Sequence, residues 1–181
     1  MLILDWLARE GGMLLSWWAL VSLAGLAALP LLWRVLGGLP DRGYAFARAA
    51  GVLLVAFVYW LLASLGFLRN STGGMVLAWV LVGVIGLSAW YSGRRFNLRS
   101  YWNENRAAIT TTEILFAGLF LLWAVVRAYQ NGLSATEKPM ELAFISAVMR
   151  SDQFPPNDPW MAGYSISYYY FGYVMAAMLG L

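Results

Sequence analysis

The sequence has no cysteine and no histidine. Without cysteine there is no disulfide framework and no thiolate chemistry. Without histidine, the commonest general base and metal ligand is missing. Charge is also scarce: 12% of the residues are Asp, Glu, Lys or Arg, against about 25% in soluble domains. Any catalysis must therefore use carboxylates, tyrosine, lysine or arginine. The net charge of +3 is small and spread along the chain, so nothing points to nucleic acid as a partner. No phosphate-cradling glycine loop, nucleotide fingerprint or zinc spacing occurs. The apolar runs carry no charge pattern of the kind that marks an ion pathway.

What the sequence does have is apolar and aromatic. It is 61% hydrophobic, with ten Trp and ten Tyr. That composition predicts an all-α, polytopic integral membrane protein with membrane lipids around it. Residues 1–10 read as a short interfacial start. They lack the basic region and small-residue cleavage site of a signal peptide. Residues 11–33 carry no charge and are long enough to cross roughly 30 Å of hydrocarbon. Three further complete spans are expected at 49–68, 75–91 and 110–129. Thr110 and Glu113 have capping-box spacing, which would start the fourth.

Basic residues give the orientation. Arg34, Arg42, Arg48, Arg94, Arg95, Arg99 and Arg106 lie in the first and third loops, whereas Arg9, Arg69, Lys138 and Arg150 lie in the alternate ones. Basic loops stay in the cytoplasm, so the N-terminus and the 130–163 segment are expected outside the cell (plasma) membrane. The seven arginines are topology signals first and anionic-lipid contacts second.

Function concentrates in residues 136–173. Four of the nine acids, Glu137, Glu141, Asp152 and Asp158, and four of the six prolines lie there. A segment so polar and proline-rich belongs outside the hydrocarbon. Pro139 fits the first turn of a helix, with Thr136 or Lys138 as N-cap. Met140, Phe144, Ala147 and Val148 then recur at helical spacing, giving a short interfacial helix over 137–150. Residues 154–160, FPPNDPW, cannot be helical. A fifth span is expected to start at Tyr164 and to be cut short at Leu181, as in the front part of a longer protein whose remaining helices are partners of these.

The candidate site residues carry two readings each. Glu137 and Glu141 are four apart and share a helix face. Their mutual repulsion favours a raised pKa or a bound divalent cation, which would suit a general base or a pair of metal ligands. The plain alternative is two solvated charges, with Lys138 as local charge partner. Asp158 either completes a carboxylate cluster or makes an Asx-turn before Pro159. Arg150 and Asp152 read as a solvated helix end. Tyr168, Tyr169 and Tyr170, with Trp160, form either an aromatic belt at headgroup level or a ring-lined pocket for a sugar or lipid headgroup.

The stretches PDRGYAFAR at 40–48, TEKPMELAF at 136–144, FPPNDPW at 154–160 and YYYFGY at 168–173 resemble the YYY membrane protein family (the Chlor_Arch_YYY domain), whose members are highly hydrophobic and several hundred residues long. More loosely, the chain is similar to GT-C glycosyltransferases. In those, an acidic residue follows a transmembrane helix at the start of the first large outer loop, and a juxtamembrane helix comes next. A small aromatic-Pro turn and an aromatic-rich span follow. Glu137, residues 140–150, residues 151–155 and Tyr168–Tyr170 take those places. The family's Asp-Glu pair is Thr136-Glu137 here, and three spans precede the matching helix. This resemblance implies transfer of a sugar from a polyprenyl-phosphate donor on the outer face, with Glu137 as base. The alternative is a non-catalytic structural or assembly subunit of a membrane complex.

Overall fold

The computed structural model describes residues 3–93, 97–130, 132 and 137–180, with the backbone alone for Ile3, Leu4 and Leu7. Thr136, Arg94, Arg95 and Leu181, on which several expectations fell, lie outside the described residues, as does most of the 130–135 connection. Among the described residues every regular element is helical. The helices are α1 (Ile3–Val35), α2 (Ala47–Ser64), α3 (Thr72–Tyr91), α4 (Leu98–Tyr129), α5 (Lys138–Arg150) and α6 (Phe171–Gly180), with a 3-10 turn at Tyr44–Phe46 before α2. The first four are long and apolar enough to cross a membrane. The chain is an all-α, polytopic membrane protein.

α1, α2 and α3 form the tight centre. Lipid is as apolar as leucine, so helices in a bilayer gain little by hiding leucines and gain more by close backbone approach. That approach needs small residues, and the sequence supplies them. Ala24 and Ala28 on α1 are fully buried, and Ala47, Val55 and Ala56 on α2 are buried with them. A Cβ placed on Gly51 would stand 2.2 Å from the Ala24 carbonyl oxygen. One on Gly86 of α3 would stand 3.1 Å from the Ala27 carbonyl oxygen. α2 and α3 thus rest on one small-residue face of α1.

Several expected boundaries move, for identifiable reasons. The interfacial start and the first span are one helix, because no proline interrupts residues 3–29 and Asp5 complements the helix N-terminus. α4 begins at Leu98, not at Thr110. Asn97 is its N-cap, accepting from the Arg99 and Ser100 backbone N–H groups at 2.9 and 3.3 Å. Thr110 is therefore in mid-helix, and Glu113 does not reach back to form a capping box. The final helix begins at Phe171 rather than Tyr164, because residues 156–158 and 164–166 pair in extended form: Asp158 N–H donates to Tyr164 O at 2.8 Å and Ile166 N–H to Pro156 O at 2.9 Å.

A charged pair also joins two of the spans. Arg48 of α2 and Glu113 of α4 form a bidentate pair at 2.9 and 2.6 Å. Tyr44 donates to the same carboxylate at 2.8 Å, and Arg48 Nε donates to Ser22 of α1 at 3.2 Å. The guanidinium also lies 4.1 Å from the centre of the Phe116 ring. α4 otherwise stands away from the bundle, with Ile114, Leu119 and Leu122 each about 60% exposed or more. The polar ties fix its position.

The close contact at Gly51 generates a direct expectation. Gly51→Leu must push α1 and α2 apart, and overpacking of this kind costs about 1–3 kcal/mol. The melting temperature of the detergent-solubilised protein should fall by several degrees. Gly83→Leu on α3, where an added Cβ meets nothing within 4 Å, should leave it nearly unchanged.

Candidate functional site

The chain connections alternate between two ends of the bundle. At one end the α1–α2 loop meets the start of α4: Tyr101 donates to Asp41 O at 2.9 Å, and the Trp33 ring stacks edge-on against Trp90 and Tyr101. At the other end the short α2–α3 connection meets α5 and the segment after it. The candidate site is at this second end.

Asn70 makes the join. Its amide N–H groups donate to the carbonyls of Val148 and Ser151, and its oxygen accepts the Tyr59 hydroxyl. Its backbone N–H donates to Asp152 O at 2.9 Å. The last carbonyls of a helix have no partner within it, so Asn70 satisfies groups that α5 would otherwise leave open. Ser151, the buried polar residue at the end of α5, donates to Ala147 O at 2.8 Å and accepts from Asn157 N–H at 2.9 Å. Phe154 is then buried with its ring centre 5.8 Å from that of Tyr59 and 6.1 Å from that of Tyr170. The proline-rich segment is thus a folded lid pinned onto α2 and α6.

An aromatic cluster is built on this lid around Phe144 of α5. Its ring centre lies 5.2 Å from Trp160, 5.7 Å from Tyr168 and 5.2 Å from Tyr173. Tyr168 stacks nearly parallel to it, and Trp160 meets it edge-on. Trp160 is 60% and Tyr168 46% exposed, so their rings remain available on the outside of the cluster. Tyr169 is 82% exposed and touches Tyr168 at 4.5 Å. Tyr170 differs: its hydroxyl accepts from Trp60 Nε1 at 3.0 Å, so it holds α6 to α2.

The expected acids separate into two places. Glu137 and Glu141 share the helix face that carries Phe144 and Val148, and both are exposed. They lie within electrostatic reach of Tyr173. Glu137 occupies the N-cap position of α5, where Thr136 or Lys138 had been expected, and its side chain makes no cap hydrogen bond. Lys138 donates to Gly132 O at 3.1 Å; it forms no ion pair with either glutamate among the described residues. Asp158 is on the other flank of α5, in a groove of about 570 Å³ with Arg150 and Leu142. Its carboxylate accepts from the Trp160 and Met161 backbone N–H groups at 2.8 and 3.0 Å, which is the Asx-turn reading. No group of three or more acids gathers among the described residues. Two exposed carboxylates one turn apart offer too few ligands for a protein-only divalent cation cage. Asp152 and Arg150 are exposed at the helix end.

Three residues central to this arrangement were not singled out from the sequence as site residues. Asn70 reads as part of a tight polar connection, and nothing in its spacing reveals partners 78 and 81 residues away. Phe144 reads as one apolar residue on a helix face. Tyr173 reads as the end of an aromatic run. Only the exposed Trp160 and Tyr168 carried a signal, through aromatics flanking prolines and acids.

The model of a family described as Uncharacterized membrane protein (DUF2298) matches residues 54–181, well over half of the chain. No curated protein and no solved structure matches it.

Asn70→Asp tests the join. It replaces the amide donor with oxygen facing two carbonyls, and an unsatisfied buried group costs about 1–3 kcal/mol. Protease cleavage within 150–163 should become at least tenfold faster, while α1–α3 stay resistant.

Proposed function

Because the chain belongs to that family of membrane proteins, we propose from the geometry of the α5 end that it forms part of a membrane-embedded glycosyltransferase. The proposal takes up both resemblances read from the sequence, to the YYY family and to the GT-C enzymes. The observation that carries it is the pairing of an exposed aromatic surface, Trp160 and Tyr168 around Phe144, with two carboxylates on the same helix. Sugar rings present C–H faces that pack on aromatic rings and hydroxyls that bond to carboxylates. The α5 end would be extracytoplasmic, at the plasma membrane, and the donor a polyprenyl-phosphate sugar.

In this reading Trp160 and Tyr168 hold a sugar, and Glu137 or Glu141 accepts the proton of an acceptor hydroxyl. The hydroxyl oxygen attacks the anomeric carbon, and the polyprenyl phosphate leaves with the bonding electrons. A carboxylate exposed to water is a weak base. The bound substrate must desolvate it for proton transfer to be effective. Asp158, held in its turn, has no part in the step.

A second reading, a structural or assembly subunit, rests on a different observation. The outward faces of α3 and α4, including Val80, Val84, Leu115 and Leu119, are apolar and about half exposed or more. They offer packing surface to further membrane helices.

Two experiments decide. In the full-length protein, Glu137→Gln and Glu141→Gln together should lower sugar transfer by about 10²–10⁴-fold, the range for loss of a general base, with Asp152→Asn near the unaltered rate. Unchanged transfer in the double variant removes both carboxylates from the step, and absence of transfer by the unaltered protein favours the structural reading. For orientation, the chain has no cysteine of its own. Gln153→Cys should label with an impermeant maleimide in intact cells, and Asn103→Cys only after lysis. The reverse pattern removes the extracytoplasmic assignment and the glycosyltransferase reading with it.

A further inference from the structure

A second cavity, of about 870 Å³, lies between the first half of α1 and the last third of α4, with Leu142 of α5 at its edge. It exists because α4 is held to the bundle by polar ties near Glu113 and Tyr101 and stands off beyond them. Its two ends differ in chemistry. Trp17 of α1 and Phe120 of α4 line the end within the apolar spans, while Arg9, Glu10 and Arg127 line the end nearest α5. At about 1.5 Å per residue, Arg9 and Trp17 are separated by about 12 Å along α1. The cavity therefore runs from charged to apolar over the depth of one membrane leaflet's surface region.

The arginines are available. Among the described residues the ion pair formed is Arg48–Glu113, and neither Arg9 nor Arg127 has a described carboxylate within 4.0 Å. Arg9 Nε donates to Asp5 O of its own helix at 3.2 Å, which leaves its terminal nitrogens free to turn into the cavity. Two guanidiniums against one carboxylate, Glu10, leave a single positive charge.

We infer that this groove holds one anionic glycerophospholipid, its phosphodiester against Arg9 and Arg127 and an acyl chain along Trp17 and Phe120. The singly charged phosphodiester matches the net charge of the lining. An amphiphile matches its gradient. A protein helix in the same place would bury two guanidiniums beneath apolar side chains, which is costly at membrane depth. The inference does not depend on glycosyl transfer, since it concerns lipid retention and not turnover.

The test uses the full chain reconstituted in vesicles of phosphatidylglycerol and phosphatidylcholine in equal amounts, followed by gentle detergent extraction and native mass spectrometry. One phosphatidylglycerol should remain bound per chain in preference to phosphatidylcholine. Each arginine near an anionic headgroup contributes about fivefold, so Arg9→Gln with Arg127→Gln should lower that retention by about 25-fold. Arg34→Gln, at the other end of α1, should not change it. A photocrosslinker at Met13, with both arginines intact, should give an acyl-chain adduct. Equal retention of both lipids, or no effect of the double variant, overturns the inference. So does displacement of phosphatidylglycerol by an equal concentration of polyprenyl phosphate, or a peptide adduct from a second copy or another helix.

Discussion

The side-chain amide of Asn70 joins the two halves of this molecule. Its two N–H groups meet the Val148 and Ser151 carbonyls, and its oxygen takes the Tyr59 hydroxyl. A helix end in an enclosed position leaves carbonyls that must find donors or carry a penalty of about 1–3 kcal/mol each. Here one residue in a short turn between α2 and α3 supplies them. With α5 fixed in that way, Ser151 can hold Asn157, Phe154 can seat against Tyr59, and the Pro156–Ile166 pairing can close. Phe144, Trp160 and Tyr168 come together as the outcome of this sequence of contacts.

A different constraint governs the spans. Between helices in lipid the hydrophobic effect gives little, and association relies on close packing and on polar contacts. α1 to α3 use the first device, through Ala24, Ala28, Gly51 and Gly86. α4 uses the second, through Glu113 to Arg48 and Tyr44, and through Tyr101 to Asp41. A partly buried ion pair is weak support for net stability, because desolvation offsets much of the Coulomb gain. Its effect here is positional, since it selects one rotation of α4. The arrangement also leaves α4 apart from α1 beyond those ties, and the groove with Arg9 and Arg127 is the result.

The sequence states the spans clearly because hydrocarbon demands long apolar runs, and no packing detail is needed to recognise them. It also shows where the proline-rich segment lies and which rings crowd near it. Boundaries were less legible. Asn97 caps α4 three turns before its apolar run begins, so hydropathy places the start too late. Tyr164 looks like the start of a helix, yet its carbonyl is committed to Asp158 N–H. Glu113 invites a local capping explanation from its spacing to Thr110, and its true partner is 65 residues away. An acid near the start of an otherwise apolar run was the available signal for that partner. The grouping of Glu137, Glu141 and Asp158 into one cluster fails because α5 places them on opposite flanks, a fact that depends on how residues 151–158 turn back. Long-range pairing of this kind is not written in any window of the chain.

The central claim is that the α5 end is a rigid platform locked to the bundle through Asn70. Amide hydrogen exchange of the protein in lipid nanodiscs measures this directly. The backbone N–H groups of Asn70, Ser151, Asn157, Asp158 and Ile166 each donate within the platform, so they should exchange as slowly as buried amides of α2 and α3. Exchange of these positions within seconds, at the rate of an open loop, would contradict the account.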